Sequence, residues 1–489
     1  MESKFPEVCI LEISSGLSKV FEILNKNPVE IVFLVEKRKF IGSITNGDIR
    51  RAMAGGATIE SSIYDIANLN STFVEENASA ELIYRSFNNG VKWLPVLNPK
   101  KEIIEILSKN SERVIPISEP DIGPREIDLV NEVLTSNWIS SSGIYINEFE
   151  KKFEEFTGAK HALSVCNGTQ AIALALSALG VKSGDEVIVP ALTFGATANA
   201  VIQIGAIPVF VDVEEDSYAL SPKLIEKAIS PKTKAIIVVH LYGKPARLSQ
   251  IQEIANTRGI FLIEDCAEAI GTTITGKHVG SLSDAGTFSF FANKTVTTGE
   301  GGMVTFKDSE IFKTAKLIRS HGFDPSERYW HKVWGTNMRL TNIQAAIGVG
   351  QMERVESFIE SKRRSAALYN KLFENLNLSQ ILKPHSYSWG NESNWLYVLE
   401  LSQEISISEL SGFLSQKRIE TRRVFHPLPK QPAFKSYINP PQAFPISEIK
   451  YNQGLCLPSS TRLKDADIRT VVDEIACYLR NTNNQFRNF

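Results

Sequence analysis

The feature that most limits the fold is a succession of short, apolar, β-branched runs in the middle of the chain. HALSV (161–165), EVIVP (186–190), IPVFVDV (207–213), AIIVVHL (235–241) and FLIED (261–265) follow one another, with helix-like stretches between them. Runs that are apolar throughout, rather than alternating with polar residues, suit strands covered on both faces. Their alternation with helices predicts an α/β fold built on a mainly parallel, doubly wound sheet. In open sheets of this kind ligands gather beyond the carboxyl ends of the strands.

The chain has 489 residues, more than one domain usually holds, and the pattern changes on either side of this core. Before about residue 112 it reads strand IVFLV (31–35), charged turn EKRK, strand FIGSIT (40–45), then a helix opening on NGDIRRAMAGG. A weaker echo follows, with the strand pair VKWLPVLN and EIIEIL. After about residue 360, helix KRRSAALYNKLFENL, strand WLYVLEL and closing helix DADIRTVVDEIACYLR read as a smaller α+β lobe. The expected domains are therefore 1–112, 113–360 and 361–489.

A net charge of −2 leaves no basic footprint for nucleic acid. The start MESKFPEVCILEISSG lacks the basic-then-apolar pattern of a secretory signal, and no apolar run has membrane-spanning length. Cys9, Cys166, Cys266, Cys456 and Cys477 are scattered and without CxxC spacing. Reduced thiols in the cytoplasm are expected, with neither a disulfide framework nor a metal site.

Four stretches carry the chemistry. In GTFSFFANKTVTTGEGGMVTF (286–306), Lys294 follows an apolar strand and lies among small, hydroxylated and glycine residues. A loop lysine by itself is a solvated charge, but an amine so placed can form an imine with an aldehyde cofactor. Ser289 can donate to a phosphate, and GEGG permits close backbone approach. In FLIEDCAEAIGT, Asp265 ends a strand, where it could face a protonated pyridine nitrogen or merely cap a helix. In SVCNGTQAIALAL, a helix begins at Gly168-Thr169, and its free N–H groups with the Thr169 hydroxyl make a phosphate seat. PALTFGATANAV offers Phe194, whose ring could lie on a cofactor's face or pack into core. In chain order on a doubly wound sheet (phosphate seat, stacking ring, carboxylate, then serine and lysine) the four agree on pyridoxal phosphate (PLP).

From about 116 to 480 the sequence resembles the DegT/DnrJ/EryC1/StrS sugar aminotransferases, which have the fold-type I PLP architecture. The resemblance implies that Lys294 is the Schiff-base lysine and general base, and that Asp265 is the pyridine partner. It further implies that Gly168, Thr169 and Ser289 bind the phosphate and that Phe194 stacks on the ring. In WGTNMRLTNIQAAIG, Asn337 matches an asparagine that reaches the phosphate across a dimer interface, implying a homodimer with shared sites. Relatives with His in place of the lysine are dehydratases, so Lys294 implies amino transfer. EDCAEAIGTT, FDPSERYW and WISSSGIYINEFE are similar to the perosamine-forming branch, which shares Glu268 where many relatives carry His or Gln. The implied reaction moves an amino group from glutamate to C4 of a GDP-linked 4-keto-6-deoxy sugar, with GDP-4-keto-6-deoxymannose favoured. A UDP-linked 4-keto sugar and a non-catalytic nucleotide sensor are the alternatives. Gln170 departs from the family, which usually has a smaller residue after the threonine.

The N-terminal tandem, with Gly42-Ser43-Ile44-Thr45-Asn46-Gly47-Asp48 as its specific part, resembles a pair of CBS modules. That resemblance implies a regulatory domain in which Thr45 and Asp48 hold the ribose and phosphates of an adenine nucleotide. The second repeat, EIIEILSKN, has neither residue at the matching places. Asp48 could instead only cap the following helix, and the module could serve dimerisation without a ligand.

Overall fold

A computed structural model describes residues 9–26, 31–78, 80–88, 91–108, 114–324, 326–327, 329–385, 387–438 and 442–486. The expected boundary at 112/113 lies outside the described residues, as do Arg328 of the SERYW stretch and the first eight residues. The chain divides into two compact units, residues 1–116 with 415–420, and residues 117–414 with 421–489.

The larger unit is built on seven strands. In spatial order they are His161–Val165, Gly302–Phe306, Ala285–Ser289, Phe261–Asp265, Thr233–Val239, Glu186–Pro190 and Ile207–Val211. All neighbours pair in parallel except around Gly302–Phe306, which runs antiparallel to both of its partners. Alternate residues of each strand face opposite ways, so two apolar clusters form, one per face. Ile236 and Val238 join Leu262, Phe288 and Phe149 in one, and Ala235 and Ile237 join Leu163, Val187 and Ile263 in the other. The first face is covered by helices Pro124–Ser136, Ile144–Thr157 and Asn342–Met352, and the second by Gly168–Ala178, Ala196–Gln203 and Ser309–Arg319. The apolar, β-branched runs are thus buried on both sides, as their composition requires.

The same unit carries a three-stranded antiparallel sheet, Tyr397–Glu400, Gly454–Leu457 and Arg422–Arg423. Two 22-residue helices, Val355–Leu376 and Asp465–Phe486, accompany it and contact each other.

The N-terminal unit holds two three-stranded sheets of identical connectivity. Ile10–Glu12 is parallel to Ile31–Glu36, which is antiparallel to Lys39–Thr45. Val74–Glu75, Trp93–Leu97 and Ile103–Ser108 repeat the scheme. The EKRK turn is a tight hairpin with Lys37 and Arg38 at φ 51° and 70°, held by their N–H groups donating to the Glu12 carboxylate. Helix Asn46–Ala54 is capped by Thr45, and Asp48 closes the capping box from the third helical position, so Asp48 is not itself the N-cap. Among the described residues, no helix is long and apolar enough to cross a membrane.

Candidate active site

Lys294 lies in the long loop between strands Ala285–Ser289 and Gly302–Phe306, whose first pair is Ser289 with Gly302. The loop is closed on itself: Thr298 N–H and Thr297 Oγ1 donate to Phe290 O, and Lys294 N–H donates to Phe291 O. Such internal bonds let a loop hold one side chain in a fixed place. The Lys294 amine is largely buried, with Nζ 3.2 Å from Glu268 Oε1 and 3.9 Å from the centroid of the Trp395 ring.

Asp265 closes strand Phe261–Asp265 and is buried. The Thr197 hydroxyl donates to Oδ2 at 2.9 Å and Ala267 N–H to Oδ1 at 3.2 Å. Burial pushes this carboxyl up from its ordinary value, while those two donors and the Lys294 charge oppose the shift. A buried carboxylate with this balance fits a cationic partner such as a protonated ring nitrogen. The strand beneath is fixed by Glu264, which binds His240 Nε2 at 3.1 Å and accepts from Leu282 and Ser283 N–H. His240, Glu264 and Cys266 have ligand-type atoms within 4.8 Å of one another. The histidine's other nitrogen accepts Ala246 N–H, so both ring nitrogens and both Glu264 oxygens already have protein partners.

Glu268 sits in the turn after that strand and is buried, not solvated. Its second oxygen accepts Tyr242 N–H at 3.0 Å. Burial raises its pKa, and the Lys294 ammonium works against the rise.

Helix Gly168–Ala178 begins at the end of strand His161–Val165. Asn167 caps it by accepting Gln170 N–H at 2.9 Å, which leaves the Gly168 and Thr169 amides at the open end. A Cβ on Gly168 would lie 2.8 Å from Ser289 Cβ, and one on Gly302 would lie 2.7 Å from the Asn167 carbonyl carbon. Glycine at both places therefore brings the helix start against Ser289, in a cradle suited to a phosphate. Gln170 points elsewhere, exchanging hydrogen bonds with Gln203. Phe194 is 61% exposed and lies 5.7 Å from Phe425, so one end of an aromatic row is left open for a flat ligand. The residues present fit PLP: an amine, a buried carboxylate, a phosphate cradle and an uncovered ring.

Asn337 is exposed, and its side-chain oxygen accepts from Arg339 N–H and Nε. In the N-terminal unit Thr45 lines a cavity of about 800 Å³, together with Phe33, Arg50, Lys92 and Trp93. Asp48 is bonded to Thr45 Oγ1 at 2.6 Å and to Arg51 at 2.5 Å. Sequence reasoning missed Trp395, Tyr242 and Phe425, which bring aromatic surface to the site from distant segments. Tyr242 stacks on Phe425 at 5.5 Å and lies parallel to Trp395, with 2° between the planes.

Solved structures share this arrangement of elements. An aminotransferase, TlmJ from Streptoalloteichus hindustanus, is similar at a TM-score of 0.71 and 29% identity, covering 76% of this chain and 100% of that one. Spr1654 of Streptococcus pneumoniae in its PLP form gives 0.71 and 28%, covering 75% and 99%. With its mostly parallel sheet and PLP-fitting site, the molecule is a PLP-dependent sugar aminotransferase of the α/β, fold-type I class. Residues 120–476 match the DegT/DnrJ/EryC1/StrS aminotransferase family, and the chain belongs to that family. Among curated relatives, the GDP-perosamine synthase of Escherichia coli O157:H7 is 42% identical over 364 residues, 74% of this chain and 98% of that protein. The GDP-perosamine synthase of Vibrio cholerae is 40% identical over 368 residues, 75% and 99%. The family match begins at residue 120, beyond the N-terminal unit.

Proposed function

We propose that the protein transfers an amino group from glutamate to C4 of GDP-4-keto-6-deoxymannose. The observation that carries this reading is the buried Lys294–Glu268 pair at 3.2 Å, since Glu268 is the residue that the chain shares with the perosamine branch. Identity of 42% and 40% to two GDP-perosamine synthases over nearly their whole length supports the choice of nucleotide and sugar.

PLP, when bound, supplies an electron sink for the carbon that loses a proton. Lys294 Nζ takes the proton from the glutamate α-carbon and, in the second half of the cycle, delivers one to sugar C4. Glu268 keeps the amine in reach of both positions. Asp265 would hold positive charge on the ring nitrogen. The Gly168 and Thr169 amides with Ser289 would bind the phosphate, and Phe194 would supply an aromatic contact for the ring. Asn337 would reach the phosphate of a second copy. The exposed Trp138, Ile139, Ile144, Trp330 and Trp334 supply apolar area for such a homodimer.

The test offers glutamate and either GDP- or UDP-linked 4-keto-6-deoxy sugars to the purified protein, with products read by mass spectrometry. A 4-amino GDP-sugar and equimolar 2-oxoglutarate are expected. Amino product from the UDP series alone would overturn the GDP assignment, and none from either would overturn the reaction.

A second reading concerns the N-terminal unit, as a CBS-like regulatory module whose cavity of about 800 Å³ takes an adenine nucleotide. Thr45, Arg50 and the Trp93 ring line it, in keeping with a phosphorylated aromatic ligand. Calorimetric titration with AMP and ATP tests this, and an absence of heat for both removes the ligand role.

A further inference from the structure

We infer that Lys362 is a positioning residue for Lys294, acting through Trp395. The inference rests on the reading of Lys294 as the cofactor-bearing lysine and extends it to a residue from a distant helix.

Lys362 lies on helix Val355–Leu376, in a stretch whose charged residues look solvated, yet it is only 2% exposed. Its Nζ donates to the carbonyl of Trp395 at 3.0 Å and to that of Ser459 at 2.8 Å. Trp395 is also buried, and its indole N–H donates at 2.9 Å to the carbonyl of Asn293, the residue just before Lys294. Ser118 Oγ donates to the same carbonyl at 3.1 Å. The Lys294 ammonium then lies on the Trp395 ring at 3.9 Å, within the range where a cation is attracted to an aromatic face. The circuit closes on the other side. Tyr242, parallel to Trp395, donates its N–H to the Glu268 carboxylate that faces Lys294.

Trp395 thus fixes Lys294 twice, by its ring against the amine and by its N–H to the preceding carbonyl. Lys362 fixes Trp395 at its backbone. A buried amine is costly, and a methionine would fill the same space without that cost. Burial, with the nearby charge of Lys294, pushes the Lys362 pKa down to about 7. What the amine supplies in return is a donor to two carbonyls on separate segments of the small lobe, which fixes Trp395, and the Trp395 indole N–H carries that hold on to the lysine loop at Asn293.

The experiment compares the wild-type holoenzyme with Lys362→Met, Trp395→Phe and the double variant. The phenylalanine keeps a ring but loses the N–H to Asn293. Each is measured for kcat and KM, and for the fraction of Lys294 carrying a pyridoxyl group after brief borohydride reduction, read by peptide mass spectrometry. In Lys362→Met, kcat should fall about tenfold or more with KM within about twofold, because a small displacement of the reacting amine costs rate rather than binding. The trapped fraction at Lys294 should fall as well. The double variant should be no worse than the poorer single, since both changes cut the same link. Wild-type kcat and trapping in Lys362→Met would overturn the inference, as would losses that multiply in the double variant. If Lys362→Met does not fold, Trp395→Phe decides, and wild-type behaviour there overturns the inference. A wild-type protein with unmodified Lys294 would instead overturn the cofactor reading itself.

Discussion

At the residue scale, the site depends on a few atoms whose neighbours decide their chemistry. Replacing Lys294 with Ala should abolish borohydride trapping of pyridoxyl at that position and lower turnover by about 10²–10⁴-fold, the usual worth of a positioned general base. Gly168→Ala makes a separate point, because the new methyl would meet Ser289 Cβ at 2.8 Å. The helix start and the serine must then part. Apparent affinity for PLP should fall at least about tenfold by fluorescence titration, the equivalent of one lost charged hydrogen bond. Far-ultraviolet circular dichroism should stay unchanged. Lys294, Asp265 and the Gly168-Thr169 turn were legible because each sits in a local pattern of strand end and small residues. Lys362 was not. In KRRSAALY it is one cation among three, and only the fold distinguishes the buried one from Arg363 and Arg364.

At the scale of elements, His278 ties strand Lys277–His278 to the turn at Gly271. Its Nδ1 faces the Val279 carbonyl, and its Nε2 accepts Gly271 N–H at 2.8 Å, so the ring must stay neutral to keep both bonds. Burial pushes its pKa down to about 4 from an ordinary 6.5. Below pH 6.5 the unfolded chain takes up a proton that the folded one refuses. Stability from this residue is therefore full above about pH 6.5, falls as pH drops to about 4, and changes little below that. The loss amounts to about 3 kcal/mol. Urea unfolding of wild type and His278→Gln at pH 7 and pH 4 should show the wild type losing more by that amount, and parallel losses would refute the assignment. In the N-terminal unit, Thr45→Ala removes the cap of helix Asn46–Ala54 and should cost about 1 kcal/mol of stability, read by urea unfolding of the full chain against wild type. The central strands could be read from composition because they are buried on both faces. Helix Leu17–Lys26 was missed although Leu17, Val20 and Leu24 recur at helical spacing on its buried side. The three-residue strand Ile10–Glu12 was beyond reach, since its identity comes only from pairing with Ile31–Glu36.

At the scale of the whole molecule, the proposed homodimer makes a prediction that no single chain can meet. If Lys294 and Asn337 of one site come from different copies, Lys294→Ala and Asn337→Ala chains should each be nearly inactive alone. Mixed and refolded together at equal amounts, they should recover about a quarter of wild-type activity, because half the dimers are hybrids with one intact site in two. No recovery, with hybrids demonstrated by mass spectrometry, would place both residues in one copy. Residue spacing could not settle such sharing, because an exposed asparagine carries no local pattern that tells a surface residue from an interface one.

The pairing order of the central sheet has a consequence for synthesis. His161–Val165 is the first of the seven strands to leave the ribosome, yet its only neighbour in the sheet is the last, Gly302–Phe306. Ala162 and Ser164 N–H donate to Glu154 and Glu150 of the preceding helix, but the edge that pairs in the sheet must wait through five intervening strands before it meets its partner. A nascent chain that stops short of residue 306 carries an unpaired, apolar edge of the kind that recruits other chains. The Gly168–Ser289 cradle closes only with that late pairing, so PLP can be captured only once the whole sheet is in place. Cofactor supply during expression should therefore raise the soluble yield by retaining finished molecules, while leaving the early, aggregation-exposed stage unprotected.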